Sequence, residues 1–144
     1  MHWIYWMKKQ LSTSQPTSKI YRKGVGIMLL NKERKIFVGQ RFDKDKSAWQ
    51  MPQGGIDKGE KSIEALKREL EEETSIKNNY KIIRESKKKY KYELPSYLQK
   101  KLWRGRFKGQ EQRWFLLQFI GIDSEINIQT EKPEFKKWKW VSKK

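Results

Sequence analysis

The 144-residue sequence predicts a single mixed α/β (α+β) domain. Six short segments are rich in the apolar, β-branched and aromatic residues that suit strands. One segment alone has helical periodicity: Ser62 to about Thr74 places Ile63, Leu66 and Leu70 on one stripe. The strands do not alternate with helices, as a doubly wound parallel sheet would require.

In chain order, "MHWIYWMKKQLSTSQPTS" (residues 1–18) is an aromatic hexad, then Lys8 and Lys9, then a linker-like Ser/Thr/Gln/Pro stretch. It reads as a flexible extension or as residues ahead of a true start at Met7; an interfacial anchor stays open. The basic residues follow the apolar run, the reverse of a signal peptide. The domain proper is expected over 19–144. Gly24–Leu30 and Lys35–Arg41 read as strands joined by the turn "NKER". Phe42–Glu60 is a long loop punctuated by Pro52, Gly54, Gly55 and Gly59, and a loop of that length in a compact domain is usually functional. Ser62 is the expected N-cap of the helix. Tyr80–Ser86, Lys89–Leu94, Arg113–Gly121 and Lys137–Val141 complete the strands.

Composition narrows the function. Seven Trp, six Tyr and six Phe supply material for one core. With no Cys and only His2, thiolate chemistry, disulfides and His-based catalysis or ligation are excluded or unsupported. No apolar run approaches the roughly 20 residues of a membrane span, so a cytoplasmic protein is expected. The net charge of +17 favours polyanionic partners, although a general lysine bias would produce the same excess.

Against that charge, seven of the 17 acids fall between Asp57 and Glu73. On a helix, Glu69, Glu72 and Glu73 share one face beside the apolar stripe, and Glu71 points elsewhere. Like charges at these spacings repel by a few tenths of a kcal/mol per pair. Carboxylates in a last helical turn also oppose the macrodipole. Salt bridges to Lys67 and Arg68 are one compensation; a hard divalent cation is another. The loop "PQGG" brings flexible backbone to the helix entrance, where carbonyls can join a metal shell.

The spacing of Gly54, Glu60, Arg68, Glu69, Leu70, Glu72, Glu73 and Ile76 resembles the Nudix box, with Ser75 where that family has Gly. "YRKGVGI", "SAWQMPQGGI", "GQEQRWFLLQF", "INIQT" and "PEFKKWKWV" extend the resemblance over about residues 20–141. They resemble the branch containing RNA pyrophosphohydrolases and diadenosine polyphosphate hydrolases. The resemblance implies an α/β/α sandwich around a mixed sheet, and two or more Mg2+ or Mn2+ ions held by Glu69, Glu72, Glu73 and Glu134. A backbone carbonyl at Gln53 or Gly54 would join them. It implies that Arg68 holds the acids in place, that Glu60 supports Arg68, and that Arg22, Arg41, Gln110 and Arg113 lie near phosphates or nucleotide. Tyr92 is either a base-stacking ring or a core residue. The family's closing helix has no counterpart after "WVSKK", so the domain is expected to be truncated at its C-terminus.

The implied activity is removal of phosphates from RNA 5′ ends to leave a monophosphate, the first step of RNA decay. Diadenosine polyphosphate hydrolysis is the alternative, and a non-catalytic RNA-binding module the second. Oligomeric state is left open.

Overall fold

The computed structural model describes residues 20–42, 48–93 and 107–143. The extension at 1–18, part of the 42–60 loop and the expected strand end at Leu94 lie outside these. Among the described residues seven strands form one sheet: β1 (Ile20–Leu30), β2 (Ile36–Arg41), β3 (Trp49–Gln50), β4 (Gln53–Gly55), β5 (Tyr80–Glu93), β6 (Phe107–Phe119) and β7 (Phe135–Val141). The helix α1 spans Ser62–Thr74, and a short 3-10 turn covers Asp123–Glu125.

The strand order is β3-β2-β1-β6-β5, with β4 also on β1 and β7 also on β2. Among the described strands only β1 and β6 pair in parallel, with Ile27 beside Phe115 and Leu29 beside Leu117. Val25, Ile27, Leu29, Phe115, Leu117 and Phe119 alternate along these strands, so one face collects them against Ala65, Leu66 and Leu70 of α1. Phe37, Trp138 and Trp140 extend this core; the Phe37 and Trp138 rings stack at 5.3 Å. The opposite face gathers Leu30, Ile36, Val38 and Met51.

Several expectations are revised. The 42–60 loop contains β3 and β4, which pair with β2 and β1. The candidates Tyr80–Ser86 and Lys89–Leu94 form one strand, β5, whose register shifts between Glu85 and Lys89 as it follows β6. β6 begins at Phe107, before Arg113, and stops at Phe119, before Gly121. The N-cap is Lys61, one residue before Ser62: its N–H donates to the Glu64 carboxylate at 2.9 Å. Ile63 is exposed, and Glu73 takes the buried side of the stripe instead.

Candidate active site

The helix α1 delivers its acids in graded burial. Glu73 is 3% exposed, whereas the Glu69 and Glu72 side chains are 13% and 56% exposed. No basic residue stands in the last turn to offset them. The helix ends at Ser75 in a left-handed conformation, φ 67°, whose N–H donates to the Glu71 carbonyl. Its hydroxyl donates to the Asn127 carbonyl at 2.7 Å, and Asn127 N–H donates to the Thr74 carbonyl at 2.9 Å. These bonds latch the acid-bearing end of the helix to the chain after β6.

Strand β4 presses against the same turn. A Cβ on Gly54 would enter the Glu69 carboxylate, so only glycine permits this approach. The backbone N–H of Gln53 donates to Glu73. The Gly54 carbonyl is turned toward Gly24 on β1. Gln53 and Gly54 both lie against the acid-bearing helix, Gln53 through Glu73 and Gly54 through Glu69.

Arg68 organises the exposed side of the cluster. Its Nε and Nη2 donate to the two oxygens of Glu60 at 2.8 and 2.9 Å. Its Nη1 donates to Glu69 at 2.8 Å and lies 3.4 Å from both Glu72 oxygens, and Nη2 also donates to the Gly55 carbonyl at 2.9 Å. The two-pronged contact with Arg68 holds the Glu60 carboxyl down at about 2. Glu60, Glu69 and burial act together on Arg68, and the two carboxylates win, raising its pKa.

Glu134 arrives from elsewhere in the chain. Strand β7 pairs with β2 so that Phe135 lies beside Arg41, and the Phe135 ring packs on the bare Cα of Gly39. Glu134 then accepts from Arg41 at 3.2 Å. Burial, then the Glu69 and Glu134 carboxylates, push the Glu73 carboxyl well above the usual range, and burial pushes Glu69 up too.

The residues expected near the nucleotide separate. The Arg22 guanidinium lies over Gly55. Gln110 accepts from the Tyr92 hydroxyl at 2.6 Å and from Gln112 Nε2 at 3.0 Å. Gln112, 1% exposed, also donates to Gln53 Oε1 at 2.6 Å. Tyr92 is 7% exposed, which leaves its ring little open surface for a base. Arg113 stands in register with Val25 on the helix-side face, paired with Glu85 at 2.5 Å. The structure therefore does not bring Arg113 together with Arg22 and Gln110. Gln112 went unnoticed in the sequence because a lone glutamine carries no signal until the strands place its partners.

The donor set fits a hard cation. Glu73 Oε2 is buried without a hydrogen-bond partner, with two further carboxylates near enough to perturb it. Among the described residues no three acids are already gathered into a metal cage. Arg68 and Arg41 instead hold Glu69, Glu72 and Glu134. Two concavities, of about 530 and 300 Å³, are not lined by these acids.

A family model described as the NUDIX domain matches residues 20–144. The RNA pyrophosphohydrolase of Pelagibacter ubique (strain HTCC1062) is 54% identical over 120 residues, covering 83% of this chain and 75% of the relative. That of Rickettsia bellii (strain OSU 85-389) is 55% identical over 122 residues, covering 85% and 75%. Among solved structures, the E. coli dihydroneopterin triphosphate pyrophosphohydrolase has a TM-score of 0.64 at 22% identity, covering 85% of this chain and 83% of that one. A C. elegans Ap4A hydrolase binary complex has a TM-score of 0.62 at 21% identity, covering 83% and 79%. At those identities the structures speak for the fold. A family match over most of the chain, and relatives more than half identical, make this chain a member of the Nudix family.

Proposed function

We propose that the chain hydrolyses the phosphoanhydride at triphosphorylated or diphosphorylated RNA 5′ ends, leaving a 5′-monophosphate and releasing pyrophosphate or phosphate. The observation that carries the reading is Glu73, a buried carboxylate with an unpartnered oxygen beside Glu69 and Glu134. The 54–55% identity to proteins named RNA pyrophosphohydrolase and the +17 charge support RNA as the substrate class.

Glu69, Glu72, Glu73 and Glu134 would hold Mg2+ or Mn2+, two or more ions, with the Gln53 or Gly54 carbonyl beside them. Bound there, the metal supplies an acidified water and neutralises phosphate charge. Arg68 keeps the Glu69 carboxylate oriented, and Glu60 fixes Arg68 by both prongs. One of the four carboxylates takes the proton of the attacking water. Arg22 and Arg41 offer cations to the phosphate oxygens, Arg41 by exchanging its contact with Glu134.

Phosphate release from triphosphorylated RNA and from diadenosine tetraphosphate, compared side by side, tests the reading. RNA is expected to be the better substrate, and Glu72→Gln to silence release while leaving RNA binding in place. Release from the dinucleotide alone would establish the diadenosine polyphosphate hydrolase instead. No release from either at any Mg2+ or Mn2+ concentration would overturn the enzyme.

A further inference from the structure

Glu134 stands immediately before β7, and a groove of about 530 Å³ runs beside that strand. Trp49 and Trp138 line it, with Lys136, Lys137 and Lys139. The chain at Asn127 and Gln129 forms its other wall. No carboxylate is among the described residues that line it, although Glu134 is only two positions before Lys136. The lysines are differently placed. Lys137 and Lys139 are exposed, and the Lys139 ammonium sits 4.1 Å over the Trp49 ring, held over an aromatic surface. At about 3.3 Å per residue, the strand carries positive charge roughly 17 Å away from Glu134.

We propose that this groove is the exit path for the RNA body. The nucleotides following the 5′ end run along β7, with their phosphates on the exposed Lys137 and Lys139 and a base against Trp49. This rests on the RNA reading of the catalytic site and adds to it where the downstream chain goes. The chemistry selects single-stranded RNA. Lysines interleaved with aromatic rings suit a flexible polyanion with stackable faces. Amide side chains on the facing wall add hydrogen-bonding groups without repulsion. Continuity with Glu134 lets one strand occupy both places.

Two measurements on the full chain test it, with Lys137→Ser/Lys139→Ser as the variant and matching thermal melts as the check on folding. The first is binding of a 5′-hydroxyl RNA decamer, which lacks the terminal phosphates, followed by anisotropy across a salt series. The variant is expected to bind about tenfold more weakly, with its log–log salt slope shallower by about 1.4, the value for two lost contacts to single-stranded RNA. The second is hydrolysis: KM is expected to rise for a triphosphorylated decamer and stay unchanged for diadenosine tetraphosphate. Equal decamer affinity of parent and variant would overturn the exit path. So would a poly-glutamate of equal charge that binds as tightly as the decamer and loses as much in the variant, since that marks an acidic-protein surface. A parent that loses decamer binding on substitution yet hydrolyses no triphosphorylated RNA would overturn the hydrolase reading and leave the groove standing.

Discussion

Glu73 and Glu60 are opposite electrostatic cases within one site. Glu73 is buried with one oxygen unpartnered, so its folded-state pKa lies above the unfolded value. The native state then binds the extra proton, and stability falls as pH rises above about 4.5, the unfolded range. Glu73→Gln keeps an acceptor for the Gln53 N–H and removes the charge. The metal-free variant is expected to be about 1–3 kcal/mol more stable than the parent at pH 8, the gap closing near pH 4, in urea titrations with chelator present. Its hydrolysis should be lost in the same preparation. Glu60 runs the other way. Its folded pKa of about 2 means the pairing with Arg68 stabilises fully above about 4.5 and is lost as pH falls toward 2. Glu60→Gln is expected to cost about 2 kcal/mol from pH 7 down to about 4.5, and progressively less as pH falls from there toward 2, by the same titration. Gly54→Ala drives a methyl group into the Glu69 carboxylate. A loss of about 100-fold in phosphate release is expected, because carboxylate displacement of this order disrupts reacting geometry.

At the scale of elements, the helix terminus offers a sharp comparison. Ser75 holds a left-handed backbone conformation that glycine adopts without strain, yet its hydroxyl bonds to Asn127. Ser75→Gly loses the bond and relieves the strain; Ser75→Ala loses the bond and keeps it. The glycine variant is expected to be more stable than the alanine variant by about 1 kcal/mol in thermal melts. The helix itself was legible in the sequence, since its apolar stripe and acid spacing are local properties. Strands β3 and β4 were not, because two- and three-residue strands broken by Pro52 exist only through pairing with β2 and β1. The start of β6 was hidden for a related reason. Gln110 and Gln112 stand where an apolar alternation would betray a strand, and their partners Tyr92 and Gln53 come from other strands. Glu134 has no local signal either. Its place beside the helix acids follows from the β2–β7 register, so the family resemblance identified it and periodicity did not.

For the whole molecule, the acid cluster predicts a metal-linked stability. A ligand that binds only the folded state, at 100 times its dissociation constant, adds about 2.7 kcal/mol. Adding Mg2+ to chelator-treated protein is expected to raise the melting temperature by several degrees, reversed by EDTA and absent in Glu69→Gln/Glu73→Gln. The core imposes a different condition. Its two central strands run side by side, yet Ile27 meets Phe115, almost 90 positions further along. During synthesis at about 5–20 residues per second, β1 leaves the ribosome roughly 4–18 seconds before β6 is available. For that interval the edge of β1 that β6 will cover stays unpaired, open to chaperones and to the β1 strands of neighbouring nascent copies.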